Sequence, residues 1–137
     1  MPSSSPRRST SPVMYATKRP RAIARLASSP WCTWRMYLML YAIIGEDGQN
    51  SLALRLQVRP RHLEYLRLLQ AEGRLVLAGP FPAVDSPEPG DAGFKGSLVI
   101  AEFADLAAAE AWAQGDPYAT EGVFRSVEVR PFKQVLP

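Results

Sequence analysis

The chain has little of what builds covalent or metal-held scaffolds: of 137 residues, one is cysteine, Cys32, and one is histidine, His62. A single thiol can close no intrachain disulfide. A zinc centre would need mostly carboxylate ligands, against that ion's preference for sulfur and nitrogen. No run of about 18 apolar residues is present, which argues against a membrane-spanning helix. Also missing are a glycine-rich phosphate loop, a dinucleotide-binding fingerprint and the Gly-x-Ser-x-Gly elbow of serine hydrolases. Acidic residues are absent from the first 35 positions, which hold seven of the 16 Lys and Arg residues. Residues 36–137 carry the other nine and all 13 acids, so the formal charge of +3 belongs to the N-terminal stretch. A nucleic-acid reading built on that charge would concern the stretch alone, and the rest of the sequence argues against such a partner.

Residues 1–35 are rich in Ser, Pro and Arg and show no apolar period, the composition of a disordered extension. Three origins compete. An organelle transit peptide fits the Arg-rich, acid-free composition, but Pro2, Pro6, Pro12, Pro20 and Pro30 interrupt the helix it needs. A secretory signal with its apolar core at residues 37–44 lacks a small-residue cleavage site. The third origin is a start at Met36, with the preceding residues an upstream extension. This third reading fits the abrupt onset of a patterned domain at residue 36, and a cytoplasmic protein is expected on it.

From there the pattern is regular. Residues 36–45 form a continuous apolar run ending in Gly, read as a buried strand. Residues 51–58 predict a short helix, and Pro60 opens a second one that stops at Gly73. Residues 75–78 read as a strand, residues 81–95 as a Pro- and Gly-rich loop long enough to act as a lid, and residues 96–103 as a third strand. Asp105 caps an Ala-rich helix over residues 106–114 ending at Gly115, and residues 123–132 form the last strand. The order βαββαβ is the ferredoxin-like α+β plan, a four-stranded antiparallel sheet with two main helices on one face. Two helices cover one face of such a sheet, and the apolar second face calls for another copy of the chain.

Candidate chemistry centres on His62. At 100° per residue it falls in the same sector as Leu63, Leu66 and Leu69 and faces protein. A core histidine held by one hydrogen bond and a catalytic base both satisfy that placement. Its expected position in the first helical turn puts it near the positive end of the helix dipole, which favours the neutral imidazole. Asp116, between Gly115 and Pro117, is either a turn or capping aspartate or the carboxylate that orients the histidine, and the two roles are compatible. Ser97 is a small residue at a strand start or a donor to substrate. Arg59 and Arg61 flank Pro60 as solvated arginines or as holders of an anion, and Asp85 is a solubilising loop residue or a polar pocket group.

Several segments then fall into one register: Tyr41-Ala42-Ile43-Ile44, Arg55, Arg59-Pro60-Arg61-His62-Leu63, Ala78-Gly79-Pro80, Gly93-Phe94-Lys95-Gly96-Ser97, Asp116-Pro117-Tyr118 and Pro131-Phe132-Lys133. In these the chain, over residues 36–137, resembles the YCII-related family. The resemblance implies a ferredoxin-like fold that pairs into a dimeric α+β barrel. It also implies a pocket with a His/Asp-centred site, His62 and Asp116 here with Asp85 as the second candidate for the aspartate, and Ser97, Arg59 and Asp85 as substrate-binding candidates. Relatives with that barrel include isomerase-like proteins, cofactor-free monooxygenases and a dehydrochlorinase of a chlorinated hydroxyquinone. The expected chemistry is proton transfer on a small cyclic or enolisable compound, as isomerisation or elimination, without metal or organic cofactor. A non-catalytic small-molecule-binding or accessory module is the alternative. Residue 61 is Arg where close relatives often have Ala, a change that adds positive charge if it lies at the pocket entrance.

Overall fold

The computed structural model describes residues 38–137, and the readings of residues 1–35 and of the strand start at Met36 lie outside the described residues. Strand β1 (Met39–Asp47) is followed by helix α1 (Leu52–Ala71), strand β2 (Leu75–Pro82) and, after a 3₁₀ turn at Gly90–Ala92, strand β3 (Phe94–Phe103). Helix α2 (Leu106–Gly115), the single-turn helix α3 (Pro117–Thr120) and strand β4 (Phe124–Phe132) complete the chain. The sheet runs β2-β3-β1-β4 with every neighbouring pair antiparallel, the ferredoxin-like arrangement.

Alternation assigns the two faces. Tyr41 and Ile43 of β1 lie opposite Ala101 and Val99 of β3, and these four pack with Leu66 and Leu69 of α1 and Ala109 and Ala113 of α2. Both main helices therefore cover the same face. The other face carries Ala42, Ile44, Leu98 and Ile100 along its centre, with Leu77 and Phe81 of β2 in register with Ile100 and Gly96.

The expected break near Pro60 is not found: one helix of 20 residues runs straight through it. Its buried residues are Arg55, Val58, His62, Leu66 and Leu69, a single stripe at spacings of three and four. Pro60 and Leu56, whose carbonyl the missing N–H would have met, both lie on the exposed side. Water there can take the freed carbonyl, and burial of the whole stripe outweighs a proline cost of about 3 kcal/mol. His62 consequently sits deep inside the helix, beyond the reach of its N-terminal dipole, which removes the expected first-turn effect. The predicted stop at Gly73 is found: Gly73 has φ 72° and its N–H reaches the Gln70 carbonyl, while Arg74 N–H reaches that of Leu69.

Candidate functional site

Five buried polar or charged side chains occur among the described residues: Asp47, Arg55, His62, Ser97 and Asp116. They form two hydrogen-bonded groups, and Arg55, His62 and Ser97 among them line one cavity. Polar groups are costly to bury, so this concentration in a small α+β core marks the site before any chemistry is assigned.

The first group is the pair foreseen in the sequence. His62 Nδ1 lies 2.7 Å from Asp116 Oδ1, and the same oxygen accepts the Tyr118 backbone N–H at 2.9 Å. Asp116 thus caps α3 and contacts the histidine through the same atom. An oxygen that already accepts one N–H is best matched by a second donor, which assigns the proton of a neutral imidazole to Nδ1. Nε2 is then the acceptor. Among the described residues no buried side-chain nitrogen or oxygen lacks a partner and Nε2 has none, so Nε2 is accessible, and His62 lines the cavity.

Gly115 explains how α2 brings Asp116 close enough. A Cβ there would lie 2.6 Å from the Tyr65 hydroxyl, so a larger residue would displace that hydroxyl where α2 ends against α1. Tyr65 donates to the Trp112 carbonyl at 2.8 Å and stacks on the Trp112 ring at 4.7 Å, fixing the two helices to one another. Burial raises the Tyr65 phenol above its ordinary value, and the nearby Asp116 carboxylate raises it further.

The second group was not anticipated as a unit. Arg55 donates from Nε and Nη2 to the two oxygens of Asp47 at 2.7 and 2.9 Å, a bidentate ion pair with both side chains buried. Its Nη2 also donates to Ser97 Oγ at 2.9 Å. Ser97 lies on the helix-facing side of β3, opposite Gly45.

Tyr118 joins the groups. Its ring lies 3.8 Å from that of His62 at 14°, nearly parallel, and the Arg55 guanidinium is 4.6 Å from the Tyr118 centroid. Behind it, Phe124 meets the Tyr118 ring edge-on at 5.4 Å, and a Cβ on Gly45 would overlap the Phe124 ring. A glycine in β1 therefore makes room for the aromatic that presses tyrosine against histidine. Burial pushes the Tyr118 phenol up, only partly offset by Arg55 and Arg59.

The cavity holds about 160 Å³. Arg55, Arg59, His62, Ser97 and Tyr118 give it a polar side, and Leu63, Leu66, Ala78, Pro80 and Val99 give it an apolar one. The volume suits a single small ring with a few substituents. Arg59 lines it without an ion-pair partner among the described residues, whereas Arg55 is neutralised by Asp47. Two sequence expectations change. Asp85 lies on an exposed, open depression with Pro82 and Pro87, apart from the His62 cavity, and residues 83–93 do not line that cavity. The strand end at Ala78, Gly79 and Pro80 forms the wall that the lid loop was expected to supply, because β2 continues to Pro82. Arg61 points elsewhere and pairs with Glu121 at the surface. Among the described residues no three His, Cys, Asp or Glu side chains gather as a metal site, and no helix is long and apolar enough to cross a membrane.

With this geometry in view, comparison with known proteins gives a family. The YCII-related domain matches residues 39–133. The chain belongs to the YCII-related domain family. It is 60% identical over 98 residues to Protein YciI of Escherichia coli strain CFT073, covering 72% of this chain and all of that protein. An uncharacterized protein of Haemophilus influenzae is 53% identical over 98 residues, with the same coverage. Among solved structures, the 5-chloro-2-hydroxyhydroquinone dehydrochlorinase of Burkholderia phenoliruptrix AC1100, in complex with 2,5-dihydroxybenzoquinone, is similar at 27% identity and TM-score 0.61, over 69% of this chain and 94% of that one.

Proposed function

We propose that this YCII-related protein is a small-molecule enzyme in which His62 moves a proton to or from a small cyclic or enolisable compound, in an isomerisation or an elimination. The observation that carries the reading is the buried His62–Asp116 contact at 2.7 Å, with the second ring nitrogen open to a cavity of single-ring size. Asp116 fixes the tautomer and stabilises the imidazolium formed when Nε2 takes a proton. Ser97 and Arg59 are the substrate-binding groups on the polar side. The similar dehydrochlorinase acts on a chlorinated hydroxyhydroquinone, and its complex holds a dihydroxyquinone, a ring of the size this cavity accepts. The reading needs no metal or organic cofactor, since donor, acceptor and orienting carboxylate are all side chains. It carries with it a cytoplasmic homodimer paired through the open sheet face, where Leu77 and Phe81 are each more than two-fifths exposed.

The test is proton exchange. Small cyclic enols, hydroxyquinones and ketones, beginning with 2,5-dihydroxybenzoquinone, are incubated in D₂O with the protein, and loss of C–H signal is followed by NMR. The full chain accelerates exchange of at least one, and His62→Gln lowers that rate by about a hundredfold or more while remaining folded. Exchange that survives His62→Gln undiminished would overturn the proposal, as would a protein that binds these compounds and exchanges none, the behaviour of a binding module.

A further inference from the structure

Strand β4 ends at Phe132, but the chain runs on through Gln134, Val135, Leu136 and Pro137. Val135 and Leu136 are 81% and 79% exposed, the most exposed large apolar side chains among the described residues. No backbone–backbone hydrogen bond holds either to another described residue. Both lie beyond the family match, which ends at residue 133. Two bare apolar side chains in succession, next to a partly exposed Phe132, form a patch that burial would favour covering.

The sheet register points to the cover. Strands β1 and β4 pair without a shift from Glu46 opposite Ser126 to Leu40 opposite Phe132. Continued past Leu40, the same register sets Leu38 opposite Gln134, Tyr37 opposite Val135 and Met36 opposite Leu136. On the other side of β1 nothing competes, because β3 ends at Phe103, opposite Met39, and the chain turns into α2 at Asp105. Alternation puts Met36 and Leu136 on the open face with Leu40 and Phe132, and Tyr37 and Val135 on the helix side with Met39, itself 47% exposed. Each bare side chain of the tail thus meets an apolar residue of the segment that directly precedes the described residues. The strand only lengthens, so no new loop has to close.

We propose that residues 36–38 extend β1 and pair, within the same chain, with residues 134–136, so that the folded unit outgrows the 39–133 family span at both ends together. A chain end stays ordered when a strand ties it into a sheet, and here each end supplies the strand that the other lacks. The pairing lengthens the apolar open face by two side chains, Met36 and Leu136, and so enlarges the surface available to a second copy. It also fixes the basic first 35 residues to the end of β1 away from the cavity. Gly45, opposite the cavity-lining Ser97, lies about 20 Å along the strand from Met39.

The test is cysteine cross-linking in the full chain, with Cys32→Ser removing the native thiol. Opposed residues of an antiparallel pair have Cα atoms about 4.5–5.5 Å apart, within reach of a disulfide. Under mild oxidant Met36→Cys/Leu136→Cys closes an intrachain disulfide at least about tenfold faster than Met36→Cys/Gln134→Cys, a diagonal pair about 7–8 Å apart on the same face. A disulfide-linked dimer of the first variant would seat the tail on a second copy and overturn the pairing within one chain. Equal rates for the two variants, or no cross-link in either, would overturn the register. Hydrogen exchange gives a second readout without engineered thiols. Amides of residues 36–38 exchange about tenfold or more slowly in wild type than in Val135→Pro/Leu136→Pro, whose tail cannot continue the ladder. Exchange unchanged by those prolines would overturn the proposal, whatever the cross-links show.

Discussion

At the scale of residues, the site is a set of polar groups that each solve a local problem and a chemical one. Asp116 ends one helix, caps the next and holds the imidazole, all within a few ångströms. Asp47 and Arg55 show the cost of such an arrangement most plainly. Their side chains are only 2% and 5% exposed, so removing one charge strands the other away from water. Asp47→Asn should therefore lower stability by about 3–5 kcal/mol, read from the midpoint of urea unfolding. A loss below about 1 kcal/mol would mean that water reaches Arg55 and that the pair is not the buried anchor described.

At the scale of elements, much of this was legible and the reasons for the misses are specific. The order of strands and helices, the cap at Asp105, accepting the Ala108 N–H at 2.8 Å, and the inward face of His62 follow from periodicity and cap chemistry. The His62–Asp116 pairing came from the family register, since 54 residues of separation carry no local signal. Arg55 was hidden by the expected break at Pro60. Read as one helix, the stripe at 55, 58, 62, 66 and 69 shows a charge where apolar residues belong, and that is the sign of a buried partner. Asp47 was hidden by ending β1 at Gly45. Extended by two residues, alternation puts Asp47 on the same face as Tyr41 and Ile43. The single turn α3 read as a turn because four residues are too few for a helical period, and Pro117 at its first position is compatible with either.

At the scale of the whole molecule, the helices cover one face of the sheet, and among the described residues no helix packs on the other. Its centre is apolar, and β4 flanks it with Glu128 and Arg130, which pair with each other. The proposed homodimer buries this face, sheet against sheet. Leu77→Asp would place an unpaired carboxylate opposite Ile100 at that surface. Sedimentation equilibrium should then give twice the chain mass for wild type and the chain mass for Leu77→Asp, whereas a monomeric wild type would refute the pairing.

The account turns on the state of one imidazole, and because His62 is the only histidine its nitrogen signals need no assignment. The measurement is ¹⁵N NMR of the full chain at neutral pH, comparing wild type with Asp116→Asn. Wild type should show the proton of Nδ1 held in the bond to Asp116, giving way to exchange between the two tautomers when the orienting carboxylate is lost. A proton fixed on Nε2 in wild type, or a spectrum unchanged by Asp116→Asn, would contradict the account.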